Sequence, residues 1–184
     1  MTLWCISDLH LLHQNIIRGG KIGIRPFDTI DQMHERIIEG WNSVVKPRDK
    51  VYHLGDLTLW RPRKHYRPED ATAWATLCGV MNRLHGQKRH LLGNHDHLGI
   101  EAYHVLGFEK VMAYRHMAGF LFSHIPCHPS QFYRFKGNVH GHTHQGTIFT
   151  YDGDADRKYV NVCVDAPGMN YTPISLEQIQ QRLG

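Results

Sequence analysis

The sequence predicts an α/β fold: two mixed β-sheets packed face to face and flanked by helices, a four-layer α/β/β/α sandwich. Short apolar runs of strand length alternate with amphipathic stretches of helical period in the first half, the pattern of strand–helix–strand units. The second half turns strand-rich with short connections, which adds a second sheet. The 184 residues show no internal repeat, low-complexity tract or linker. They suit one domain, residues 1–184, long enough to bury a real core.

Residues 2–7, 50–54 and 89–92 are near-continuous apolar runs, each ending in a polar cluster, as strands buried on both faces do. Between the first two, Ile30, Met33, Ile37, Trp41 and Val44 recur at spacings of three and four, predicting a helix across 29–45. Thr29 and Gln32 offer it a capping box, and Pro47 closes it. Trp74, Leu77, Met81 and Leu84 repeat the period, with Pro68 near the start and Gly86 at the end. A short helix near 99–106 ends at Gly107. Residues 110–116, 120–123, 138–140, 147–151 and 159–164 read as strands, and a last helix over 175–183 has Ser175 as N-cap and Glu177 in its first turn.

Bulk properties exclude several classes. Hydrophobic residues make up 41% and charged residues 21%, ordinary for a globular chain. No apolar run reaches the roughly 18 residues of a membrane span. Met1 leads almost directly into Leu3-Trp4-Cys5-Ile6 and charged Asp8, with no basic leader or cleavage site, so the expected compartment is the cytoplasm and no membrane partner is expected. Cys5, Cys78, Cys127 and Cys163 lie far apart, which argues for reduced, partly buried thiols rather than a disulfide framework or a thiolate zinc site. A net charge of +4 is too mild to imply nucleic-acid binding by itself. Sixteen histidines are the abnormal count and direct attention to metal binding and proton transfer.

Five polar clusters follow predicted strands directly: Asp8-Leu9-His10, Gly55-Asp56, Gly93-Asn94-His95-Asp96, Ser123-His124 and Gly141-His142-Thr143-His144. Strand carboxyl ends are where ligand groups converge in open α/β sheets. Asp8 and His10, like His142 and His144, are two apart, so extended backbone would send each pair from one face. Gly55, Gly93 and Gly141 permit tight turns and close backbone approach. Seven donors, Asp8, His10, Asp56, Asn94, His124, His142 and His144, exceed one four-coordinate site and suit two ions. Mixed imidazole and carboxylate donors match manganese, iron, nickel or zinc, and match calcium poorly. A lone Asp-x-His or Gly-Asp says little, since such pairs are common turn material; the ordered set says much more.

That ordered set, Asp8 to His144, resembles the calcineurin-like metallophosphoesterase superfamily. More narrowly, Ser7-Asp8-Leu9-His10, Arg25-Pro26-Phe27 and Asn161-Val162-Cys163-Val164-Asp165 resemble small bacterial and phage members of unassigned substrate. The resemblance implies a double β-sandwich flanked by helices. It further implies two divalent or trivalent transition-metal ions, manganese foremost, with iron, nickel or zinc as alternatives. Asp8, His10 and His144 would hold the first ion, Asn94, His124 and His142 the second, and Asp56 would bridge them. His95 would point at the leaving group rather than ligate.

The implied reaction is phosphoester hydrolysis by a hydroxide shared between ions about 3.5–4 Å apart. His95 acts as general acid, and Asp96 is expected to orient or stabilise its imidazole. The substrate is read as a phosphodiester: a small diester, a nucleotide or a nucleic-acid end. A phosphomonoester is the alternative, and a nuclease on long nucleic acid or a non-catalytic metal-binding protein are further rivals. The phosphoprotein branch of that superfamily carries Gly-Asp-x-x-Asp-Arg-Gly, whereas this chain reads Gly55-Asp56-Leu57-Thr58-Leu59-Trp60. Two segments are candidate substrate walls. One is the basic-aromatic run Trp60-Arg61-Pro62-Arg63-Lys64-His65-Tyr66-Arg67, with Arg61 and Arg63; the other is the loop over 126–136, with His128 and Arg134. The remaining histidines, His34 among them, read as surface or structural. His97 and His140 adjoin the clusters, in positions for supporting contacts.

Overall fold

The computed structural model describes residues 1–63, 65 and 67–183, and the chain forms an α/β sandwich of two mixed sheets. In the first sheet β1 (Leu3–Ile6), β2 (Lys50–His53), β3 (Gln87–Leu91) and β4 (Phe108–Met112) run parallel. In the second, β5 (Tyr114–Met117) is antiparallel to β6 (Phe120–Ser123), while β7 (Gly137–His140) and β8 (Tyr159–Asn161) continue in parallel. A short β9 (Ile174–Ser175) pairs antiparallel with β1. The helices are α1 (Ile30–Val44), α2 (Pro68–Arg83), α3 (Ile100–Val105) and α4 (Leu176–Leu183). No helix among the described residues is long and apolar enough to cross a membrane.

Strand pleating sorts the apolar residues into two cores. Ile6 and Val51 pack with Met33, Ile37, Trp41, Leu77 and Tyr103 of the helices. Cys5 and Tyr52, one position away and so on the opposite face, pack with Phe120, Phe122, Val139 and Val160 of the second sheet. This two-sided burial explains why β1 reads as an unbroken apolar run. At α1 the expected capping box is complete: Thr29 accepts from the Gln32 backbone, and Gln32 accepts from that of Thr29. Such a cap is worth about 1 kcal/mol. Ser175 caps α4 in the same way, exchanging bonds with Gln178. All four cysteines are free thiols.

Three sequence expectations need correction. The strand expected over 110–116 is two strands, β4 and β5, which meet near Ala113 and belong to different sheets. The apolar pattern cannot register a change of ladder partner. The strand expected over 147–151 is a loop with one isolated bridge, Phe149 to Ala155. Phe149 is 63% exposed and Tyr151 fully so, and strand propensity expresses burial on a pleated face that these side chains lack. The strand expected over 159–164 leaves its sheet after Asn161. Val162 and Val164 then bond to the backbone of Ser7, tying the two sheets together where β1 ends.

Candidate metal centre

All five polar clusters lie at strand ends, and in three of them the backbone is left-handed at the donor residues. φ is +58° at Asp8, +48° at His10, +56° at Asp56, +70° at His142 and +51° at His144. For Asp8 and His10 the same-face expectation therefore holds in outcome but not in cause. Asp8 and His10 share a side because left-handed residues alternate with Leu9 and Leu11, which are fully buried. Left-handed backbone disfavours a side chain by roughly 1–2 kcal/mol per residue, least for Asp, Asn and His. Strain of this kind concentrated on five donors is the mark of a site held in place by its surroundings.

The seven donors form one unbroken series of close approaches. His144 Nε2 lies 3.9 Å from Asp8 Oδ1, which lies 3.8 Å from His10 Nε2. His10 Nε2 is 3.7 Å from Asp56 Oδ2, and Asp56 Oδ2 is 3.4 Å from His124 Nε2. Asn94 Oδ1 then stands 2.8 Å from His124 Nε2 and 2.9 Å from His142 Nδ1. The first four separations exceed hydrogen-bond length. They match the roughly 3–4 Å between two ligands that each sit about 2.0–2.2 Å from a cation. Asp8, His10 and His144 bring ligand atoms within 4.8 Å of one another, and so do Asp8, Asp56 and His124.

Buried polar atoms supply a second test of fit. Asp8 Oδ1 and both ring nitrogens of His10 are buried without a hydrogen bond. Buried polar groups are normally paired, and a cation between these donors would satisfy them. Electrostatics agree. Burial alone would raise the Asp8 carboxyl, but His10 and the charge of His124 outweigh it and hold the pKa far below the usual carboxylate range. Burial, followed by the Arg25 charge, lowers His10 despite Asp8 and keeps the imidazole neutral, the form that ligates.

Supporting residues fix the donors. The Nδ1–H of His124 faces the Leu54 carbonyl at 2.8 Å, and Nδ1 of His144 faces the Asp165 carboxylate at 3.1 Å, so each Nε2 turns toward the centre. Arg25, fully buried, donates to Asp165 at 3.0 Å and to the backbone carbonyls of Asp8 and Leu9. One guanidinium thereby ties the Asp8 loop to the residue that orients His144. Glycine is required where the loops touch. A Cβ on Gly93 would strike the Asp56 carboxylate, and one on Gly141 would strike that of Asp8. Buried His34 accepts from the Leu12 backbone, and His13, also buried, lies 5.3 Å ring to ring from His10. Burial pulls His13 down to about 4.

His95 is half-buried beside the donors. Its backbone donates to Asp56 Oδ1 at 2.9 Å, and its ring lies 5.8 Å from that of His10. Asp96 is a correction. It does not pair with His95; its carboxylate accepts from the backbones of Gly93, Asp56 and Leu57 and sits 3.1 Å from His90 Nε2. Backbone N–H groups at the turn converge on that carboxylate, so it ties two donor loops together. Asp165, Arg25 and His13 were missed as site residues because single charged or imidazole groups outside a strand-end cluster carry no local signal. The Arg25-Pro26-Phe27 and Val164-Asp165 segments were the one available hint.

No hydrogen bond, ion pair or ring contact among the described residues joins the candidate substrate residues to this centre. Arg61 is exposed, Arg63 lies 3.9 Å from Glu69, His128 bonds Ser130, and Arg134 lies over Tyr133. Lys64 and Tyr66 of the basic-aromatic run lie outside the described residues.

No family model matches the chain. It is 33% identical over 179 residues to the uncharacterized protein MJ1445 of Methanocaldococcus jannaschii, covering 96% of this chain and 88% of that protein. It is 27% identical over 196 residues to the gene 66 protein of Mycobacterium phage L5, covering 90% and 87%. Among solved structures, the Aquifex aeolicus protein of unknown function AQ665 superposes with a TM-score of 0.63 at 25% identity, over 98% of both chains. The Pseudomonas putida nuclease MPE shares the fold, with a TM-score of 0.50 at 17% identity over 77% of this chain and 60% of that one.

Proposed function

We propose that this chain, which belongs to one family with the uncharacterized protein MJ1445 of Methanocaldococcus jannaschii, is a two-metal phosphodiester hydrolase. The observation that carries the reading is the continuous series of seven donors from His144 through Asp8, His10, Asp56, His124 and Asn94 to His142. The nuclease likeness supports it at the level of fold. Asp8, His10 and His144 would hold one ion and Asn94, His124 and His142 the other. Asp56, which faces both His10 and His124, would stand between them. When bound, such ions supply Lewis acidity, which neutralises the phosphate and lowers the pKa of the attacking water.

The protein's own groups do the rest. His95, fixed through its backbone to Asp56, holds a proton for the leaving oxygen. Water gives one proton to solvent as its oxygen forms the new O–P bond, the P–O bond to the leaving group breaks, and the His95 proton passes to the departing oxygen. Asp8 and His10 lie almost wholly out of solvent, whereas Asn94 and His142 are exposed. The open rim supports a diester with substituents on both sides of phosphorus. Manganese is the proposed metal on the family resemblance, and the mixed imidazole and carboxylate donors fit it as they fit iron, nickel or zinc. The test is to reload metal-free protein with manganese, nickel, iron or zinc. Each form is then assayed on an aryl diester, an aryl monoester and nucleotides. Diester turnover restored by manganese is expected; no hydrolysis with any metal would contradict the reading.

A further inference from the structure

One cavity is walled partly by residues that follow two donor loops and partly by α2. Four residues beyond Asp56, the Trp60 backbone donates to Thr58 Oγ1 at 3.0 Å, and that hydroxyl donates to the Leu11 carbonyl at 2.7 Å. Trp60 is thus pinned to the loop that carries His10. Two residues beyond His95, His97 sets its ring 6.4 Å from that of His95. Between them lies a largely apolar cavity of about 270 Å³, lined by Trp60, Pro62, Trp74, His97 and Leu98 and by Asp70, which is only 3% exposed. The two indoles lie 6.1 Å apart and are half-buried rather than sealed into the core.

The chemistry of this lining selects its occupant. Indole faces stack on flat rings, and every nucleobase offers one. The volume is just below the range of small-ligand pockets, enough for one ring system and too little for a folded segment. The Asp70 carboxylate accepts from the Arg67 backbone and has further acceptor capacity for a base N–H. The proton donor, His95, is one ring away. We propose that this cavity takes the nucleobase of a leaving nucleoside, a deepening that rests on the hydrolase reading above. The esters preferred are then those in which hydrolysis breaks the P–O bond to a nucleoside oxygen, which receives a proton.

The test compares methyl phosphodiesters of adenosine and of glycerol by the rate at which each alcohol is released. In Trp60→Ala, Trp74→Leu and Asp70→Asn proteins whose melting confirms folding, the adenosine-to-glycerol ratio of kcat/KM is expected to fall about ten- to a hundredfold for the tryptophan variants. It is expected to fall less for Asp70→Asn. A ratio held within about twofold in all three would overturn the proposal. Adenosine is also titrated into metal-free protein while tryptophan fluorescence is followed. Saturable quenching lost in Trp60→Ala supports the cavity even if no ester is hydrolysed, an outcome that would sink only the hydrolase reading. No quenching in the parent protein would overturn the cavity whatever the turnover.

Discussion

The two ends of the donor series differ in how they meet water. At one end Asp8 is 0% and His10 2% exposed, with polar atoms that no hydrogen bond satisfies. Arg25 and Asp165 brace that end from behind. At the other end Asn94 and His142 are exposed and touch each other, and only His124 is buried. A buried, braced end holds its geometry, and a cation there would satisfy its unpaired polar atoms. An exposed end leaves a face for substrate. If the proposed ions bind, the difference predicts tight metal retention at the first end and substrate entry and easier metal exchange at the second.

Asp56→Asn should give the largest effect, since its carboxylate faces both ends: metal analysis should find well under two ions per chain and turnover should reach background. Retention of both ions would break the idea of a shared carboxylate. His95→Ala should keep both ions yet lose about 10²–10⁴-fold in kcat on esters with poor leaving groups, and much less on aryl esters. Equal losses on both kinds of ester would remove it as proton donor. Asp165→Asn should weaken metal affinity about 10–100-fold at the braced end only, read as one shifted step in a metal titration. A uniform weakening of both steps would erase the asymmetry.

The smallest effect comes from a buried histidine that is not itself one of the seven donors. Burial, then the charge of neighbouring His90, pulls His53 down to about 3, against about 6.5 unfolded. Between those values the unfolded chain binds a proton that the folded chain refuses, so stability is full above pH about 6.5 and falls as pH drops toward 3. The slope for this one residue is about 1.4 kcal/mol per pH unit. Between pH 7.5 and 5.5 the urea midpoint of metal-free parent protein should decline more than that of a His53→Leu protein, and equal declines would contradict it.

The parts of this molecule legible from sequence are those written locally. The α1 capping box, the parallel strands and the polar clusters that end them all depend on neighbours within a few residues. Gly93 and Gly141 were readable because close backbone approach leaves only one residue type to choose. What escaped depends on distant partners. The division of residues 108–117 between two sheets follows from ladders with β3 and β6, which no local pattern records. The Arg25–Asp165 pair joins positions 140 residues apart. Asp96 was assigned to its neighbour in sequence, His95, but the turn at Gly93 directs it to His90 and three backbone N–H groups instead.

Anomalous scattering from crystals of manganese-loaded protein addresses the central claim most directly. Two peaks are expected, one among Asp8, His10 and His144 and one among Asn94, His124 and His142, with Asp56 between them. Peaks located elsewhere, or none at these donors, would contradict the account.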